Sequence, residues 1–269
     1  MYSIRQPAVA GSFYPGLSSV LARDVSVLLA AARPAPDGKL PKAVIVPHAG
    51  YIYSGATAAA AYAALAGGRG LITRVVLLGP VHRVAVRGLA LPGNDAFATP
   101  LGNIPVDQAA VALLHTMPQI VTSAAAHAQE HSLEVQLPFL QSVLGDFSLV
   151  PLAVGDATAA EIAEVLEALW GGPETLIVVS SDLSHFLSYA AAQAADRQTV
   201  QRILALQGPL THEQACGGTP INGMLLAAKQ HHLQPLLLDL RNSGDTAGDK
   251  DRVVGYASFA FMERFGYEH

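Results

Sequence analysis

Lys42-Ala43-Val44-Ile45-Val46-Pro47-His48-Ala49-Gly50-Tyr51-Ile52-Tyr53-Ser54-Gly55 is a short β-branched run that stops at a proline and a histidine and opens, through glycine, into an alanine-rich stretch at 56–66. A run that short and wholly apolar predicts a buried strand, and the stretch after it predicts a helix, so the unit reads strand, loop, helix. The pattern recurs at Arg74-Val75-Val76-Leu77-Leu78, which ends in Gly79-Pro80-Val81-His82. Apolar runs at 147–154 and 175–180 predict two more strands, separated by a helical pattern at 159–170, and the second leads into Ser181-Asp182-Leu183-Ser184-His185. Helical patterns come next at 190–206 and about 223–230, and 236–240 with 253–261 predict closing strands.

Alternating strands and helices predict an α/β fold, a layered sandwich with a mixed central sheet and helices on its faces. The stretches 95–105 and 241–252, rich in Gly, Asp and Asn, read as loops without the length or bias of a linker. With 269 residues and no internal repeat, one domain over 1–269 is expected.

Hydrophobic residues make up 51% of the chain and charged residues 14%, which fits either a deep core or a membrane protein. The apolar runs are strand-length and the alanine-rich stretch is too short to span a bilayer, so no membrane segment is expected. The N-terminus carries no apolar signal region, which makes the cytoplasm the expected compartment. A net charge of −5, with 16 Lys and Arg scattered along the chain, provides no electrostatic footprint for nucleic acid. Cys216 is the one cysteine, so no intrachain disulfide forms and its sulfur serves packing, metal binding or reactivity.

Ligands of open α/β sheets sit beyond the carboxyl ends of the strands, where His48, His82 and His185 all fall. A single such histidine is ordinarily satisfied by a backbone partner, whereas three at equivalent strand ends point to a shared site. Neutral imidazole binds iron, copper, zinc and nickel, and a functional site takes about three protein ligands and leaves a position open. Cys216, followed by Gly217 and Gly218, is a candidate thiolate because glycine lets the backbone approach closely. His115, His127, His212, His231, His232 and His269 show no partner pattern and are assigned no function.

Ala8-Val9-Ala10-Gly11-Ser12-Phe13-Tyr14-Pro15, Pro47 to Gly55, Gly79-Pro80-Val81-His82, Glu130-His131-Ser132-Leu133-Glu134-Val135-Gln136-Leu137-Pro138, Ser180 to His185, Cys216-Gly217 with Pro220-Ile221, and Val253-Val254-Gly255-Tyr256 together resemble the Memo family, also called AmmeMemoRadiSam system protein B. These pieces span nearly the whole chain in order. The family is similar in fold to the catalytic subunit of class III extradiol dioxygenases, which hold non-haem Fe(II) with two histidines and a glutamate. The resemblance implies that His48 and His82 occupy the two histidine positions, that Cys216 stands where the dioxygenases have a carboxylate, and that His185 matches their acid/base histidine. A thiolate is softer than a carboxylate and favours copper or zinc relative to the dioxygenase site. The metal set the resemblance implies is His48, His82 and Cys216, with Fe(II) favoured and copper or zinc as alternatives, and it implies His185 as the catalytic residue.

Tyr53, His131 and Asp182 are assigned to the substrate pocket. His131, with Glu130 and Glu134, lines it or begins a helix in a solvated polar cluster. Asp182 holds an imidazole or caps the helix after it, and Tyr51 and Tyr53 form a pocket wall or only pack. Asp245 and Asp249 lack EF-hand spacing and read as a turn. Three functions compete. The first is a dioxygenase-like oxidoreductase acting on a small substrate. The second is a non-enzymatic metal-binding or ligand-binding protein that takes a small molecule or peptide and works with the radical-SAM and AMMECR1-like partners the resemblance implies. The third is a metal-free hydrolase with Cys216 as nucleophile, which would need an adjacent histidine and an oxyanion hole.

Overall fold

The computed structural model describes residues 2–32 and 38–263. His269 lies outside them. In chain order the elements are β1 (Ile4–Arg5), α1 (Ser18–Ala31), β2 (Ala43–Val46), α2 (Tyr51–Ala63), β3 (Arg74–Pro80), β4 (Leu89–Leu91), β5 (Ala96–Thr99), β6 (Gly102–Pro105), α3 (Gln108–Leu114) and β7 (Ile120–Thr122). They continue with α4 (Ala124–Ala128), α5 (Leu137–Leu144), β8 (Ser148–Val154), α6 (Ala159–Ala168), β9 (Thr175–Ser180), β10 (His185–Leu187), α7 (Tyr189–Leu204), α8 (Gly218–Gln230), β11 (Gln234–Asn242) and β12 (Val253–Met262).

The main sheet runs β10-β12-β2-β9-β3-β8-β4-β7, with β11 also paired to β12. Its centre, β2-β9-β3-β8, is parallel, and it is flanked on both sides by antiparallel pairs, β12 to β2 and β4 to β8. The sheet is mixed and the class α/β, as the alternation of strands and helices predicts. Strand side chains alternate between faces, so the all-apolar central runs divide cleanly. Val44, Val46, Val75, Leu77, Leu176 and Val178 join the cluster under α1, α2 and α5. Ala43, Ile45, Val76, Leu78, Ile177 and Val179 join the cluster under α6, α7 and α8.

The stretch 95–105, read from sequence as a loop, instead holds the β5–β6 hairpin, which pairs with β1 in a separate three-stranded sheet. Ala96, Phe97 and Ile104 of the hairpin are buried against the core. The stretch 241–252 is a turn, as expected, with the end of β11 leading into it. Among the described residues no helix is long and apolar enough to cross a membrane.

Parallel neighbours deliver their C-terminal ends to the same edge of a sheet. β2, β9 and β3 are adjacent, with Val46 opposite Ser180 and Leu78 opposite Val179. The segments that leave these strands carry His48, the 181–185 turn and His82, and topology alone gathers them on one edge, with strands about 4.8 Å apart.

Candidate metal centre at the strand ends

His48, His82 and His131 each offer one ring nitrogen to a common space, and these atoms lie within 4.8 Å of one another. The His82 and His131 rings stack at 4.7 Å, and His48 meets both edge-on at 5.2 and 5.3 Å. Cys216 Sγ lies 3.3 Å from His48 Nε2, although it does not share the mutual spacing of the three imidazoles. The span is close to the roughly 4 Å that two metal–nitrogen bonds of about 2.1 Å can bridge. The donor set, several imidazoles and one thiol, suits a first-row transition metal ion.

The surrounding polar groups aim the rings. Glu130 is buried and its carboxylate can only accept, so His82 donates Nδ1–H to Glu130 Oε1 at 2.8 Å and its backbone N–H to Oε2 at 2.7 Å. A ligand would therefore meet His82 through Nε2. His185 donates Nδ1–H to the Leu183 carbonyl at 2.9 Å, which leaves its Nε2 bare. His131 Nδ1 stands 3.4 Å from Glu130 Oε1, and its ring packs on Phe13 at 4.8 Å. Backbone amides of His131 and Ser132 complete the Glu130 carboxylate, both at 2.9 Å. Burial alone would raise the pKa of Glu130, but the His82 ring and the backbone amides of Ser132 and His82 pull it down to about 2.

Cys216 is placed by close backbone approach. Its N–H donates to the Asp182 carbonyl at 3.2 Å, and the next N–H, of Gly217, donates to Ser181 Oγ at 2.9 Å. A Cβ on Gly217 would lie 2.6 Å from Ser181 Cβ and 2.7 Å from the Ser180 carbonyl oxygen, so only glycine lets the Cys216 loop dock on the end of β9. Gly79 does the same at the end of β3, where a Cβ would sit 2.7 Å from Ser132 Oγ.

Burial dominates the electrostatics. It pushes the Cys216 thiol up to about 12, with Asp182 adding to the effect. It holds His48 well below its ordinary value, helped by His131 and His82. It lowers His131 to about 4 and lowers His185. A thiol so raised is a poor nucleophile without a metal, which argues against the metal-free hydrolase.

His131 belongs to the imidazole cluster rather than to a solvated helix start. Glu134, grouped with it from sequence, faces away: it ion-pairs with buried Arg5 and accepts from Ala8 N, Val9 N and the Tyr14 hydroxyl at 2.8, 3.0 and 2.6 Å. It pins the N-terminal segment, and with it Phe13, over the site. Asp182 holds the backbone of His48, accepting its N–H at 2.7 Å, rather than an imidazole, and the next element is a strand rather than a helix. Burial raises Asp182 to about 7 against the opposing pull of the His48 and Ala49 amides. Tyr53 sits half-buried on the first turn of α2, while Tyr51 packs on Phe139 and donates to the Val135 carbonyl. Asp245 accepts from the Tyr189 hydroxyl and Asn242 N, and Asp249 from Asp251 N, so both stabilise a turn.

Phe186 follows His185 at φ 61°, and its exposed ring lies between the His185 ring at 5.7 Å and the Arg252 guanidinium at 4.9 Å. His212, assigned no function from sequence, is close enough to His185 for its charge to act on it. Neither has a periodic or motif signal that would have revealed it.

The profile of the Memo-like protein family matches residues 5–260 of this chain. A MEMO1 family protein of Metallosphaera sedula is 35% identical, the match covering 96% of this chain and 99% of that protein. One of Aquifex aeolicus is 34% identical over 96% and 99%, and one of Archaeoglobus fulgidus is 35% identical over the same shares.

Proposed function

The chain belongs to the Memo-like family, and from that premise we propose that it holds one redox-capable metal ion, Fe(II) in preference to copper or zinc, on His48, His82 and Cys216 and uses it on a small substrate. The observation that carries this reading is the convergence of imidazole nitrogens and one thiol at the ends of three adjacent parallel strands. Imidazoles bring no charge, and a desolvated dication needs an anion beside it. The nearby carboxylates of Glu130 and Asp182 are engaged by His82 and by backbone amides. Cys216 supplies the anion once the metal displaces its proton.

Fe(II) bound there would supply one-electron chemistry and a Lewis acid with open positions. Glu130 holds the His82 ring in orientation. His185, with a bare Nε2, accepts or returns a proton at the substrate. His131, backed by Phe13, and Tyr53 form the wall against which the substrate lies. A cytoplasmic setting, and work alongside radical-SAM and AMMECR1-like proteins, belong to the same reading.

The test is metal analysis of protein purified without chelators or nickel resin, followed by anaerobic Fe(II) titration and oxygen uptake with catechol-like substrates. Wild type should bind one equivalent. His48→Ala and Cys216→Ser should each weaken binding by about 100-fold or more, and His131→Ala by less than about tenfold. Uptake above the His48→Ala background supports an oxidoreductase. Tight binding without uptake assigns a metal-handling role instead, and failure to bind any metal sinks the proposal.

A further inference from the structure

An imidazole ligates through whichever nitrogen lacks a proton, so a site built on His48 Nε2 requires the proton to stay on Nδ1. His48 Nδ1 lies 2.9 Å from Ser180 Oγ, a hydroxyl that can either donate or accept. Two carbonyls, which can only accept, decide between these roles. Gln136 Nε2 is 2.9 Å from the Pro47 carbonyl oxygen and 2.9 Å from Ser180 Oγ. Reversing the Gln136 amide would set its oxygen against the Pro47 carbonyl, two acceptors with no hydrogen between them, so the NH2 group faces that way. Its second N–H is then donated to Ser180 Oγ, and the Tyr62 hydroxyl donates to Gln136 Oε1 at 2.7 Å.

Ser180 has a single hydrogen. Oγ lies 2.6 Å from the Ser132 carbonyl oxygen, which takes that hydroxyl hydrogen. With that hydrogen committed and one lone pair filled by Gln136, Ser180 Oγ has only acceptor capacity left for His48. Tyr62, Gln136, Ser180 and Ser132 are all fully buried, so no water rearranges the chain of bonds, and a partner left unmatched there is costly.

We propose that Ser180, oriented by Gln136 and by the Pro47 and Ser132 carbonyls, is a positioning residue that holds His48 in its Nδ1–H form and so turns a bare Nε2 toward His82, His131 and Cys216. This deepens the metal-site reading and rests on it for its purpose. The hydrogen-bond logic itself does not depend on a bound ion.

The tautomer is read directly in the metal-free full-length chain by long-range proton–nitrogen correlation NMR on protein labelled with nitrogen-15 histidine, and metal affinity is measured separately by Co(II) titration. In wild type the His48 signal should be that of the Nδ1–H form. Ser180→Ala should shift it toward Nε2–H and weaken Co(II) binding by about 10–100-fold, and Ser180→Thr, which keeps the hydroxyl, should restore both. Tyr62→Phe serves as the control for a merely structural effect. It removes a buried bond of the same network and lowers the melting temperature, yet leaves the Pro47 carbonyl to orient Gln136, so the tautomer should persist and Co(II) affinity should change by less than about threefold.

An Nε2–H signal in wild type overturns the proposal, as does a Ser180→Ala chain that keeps both tautomer and affinity, or equal losses of affinity in Ser180→Ala and Tyr62→Phe. A wild-type chain that shows the Nδ1–H form but binds no Co(II) leaves the relay standing and removes the metal-site reading.

Discussion

Lys42 and His48 stand at opposite ends of β2 and are both buried, yet the protein treats them differently. The Lys42 ammonium donates to the carbonyls of Trp170, Gly172 and Thr175 at 2.5, 2.8 and 2.9 Å, so each of its three hydrogens has an acceptor. At the other end His48 and His82 each have one nitrogen engaged, and each offers one to the space they share with His131. A buried polar group whose bonding capacity is closed by the chain belongs to the fold. Several polar groups at one sheet edge with capacity left over, aimed at one point, mark where something else binds.

The contrast can be broken in three ways, taken from the largest effect down. Lys42→Met takes the ammonium from three carbonyls, of which that of Gly172 keeps the Thr175 N–H, and should cost about 3 kcal/mol of stability with no change in metal affinity. Urea unfolding and metal titration of one preparation check both, and weakened metal binding would mean that the two ends of the strand are not independent.

His127 tests the requirement for convergence. It too is buried with a nitrogen left over, since Nε2 donates to the Ala90 carbonyl at 2.7 Å and Nδ1 has no partner, but its neighbour is the Phe97 ring rather than other donors. Burial lowers it from its ordinary 6.5 to about 4, so between these values the unfolded chain binds the extra proton. The associated stability is fully present above pH 6.5 and is lost as pH falls toward 4, roughly 3 kcal/mol in all. The gap between denaturant midpoints at pH 7 and 4.5 should therefore narrow in His127→Gln, the buried site histidines keeping the rest of it, and an unchanged pH slope would refute the assignment.

The smallest effect is expected at the site itself. Groups kept open for a ligand add little to the metal-free fold, so Cys216→Ser should alter metal-free stability by less than about 1 kcal/mol. A larger loss would place Cys216 among the structural residues.

The strand-end histidines were legible because the signal is local: a β-branched run followed by a turn places the next residue at the sheet edge whatever the rest of the chain does. The order β2-β9-β3, which makes those edges adjacent, follows the general preference of alternating units. The β5–β6 hairpin was missed because its strands are only four residues each and its Gly, Asp and Asn content resembles a loop. Burial of Phe97 and Ile104, a tertiary fact, decides it. His131 and Glu134 were grouped as neighbours in sequence, and the irregular chain there turns them to opposite partners, His82 on one side and Arg5 on the other. Ser180 and Gln136 fall in the stretches that carry the family resemblance, but their roles were not legible there, because they come from bonds between residues 44 positions apart.

The proposed ligands come from three stretches of chain, and the contact between Cys216 and His48 joins residues 168 positions apart. An extended chain therefore contains no local chelate, and the grip on an ion comes into being only when the last sheet edge docks. Such an ion recognises the finished molecule alone, and at 100 times its dissociation constant it would deepen the native well by about 2.7 kcal/mol. Order of assembly is thereby written into the site: closure first, loading afterwards, with the melting temperature rising with metal concentration as the record of that sequence.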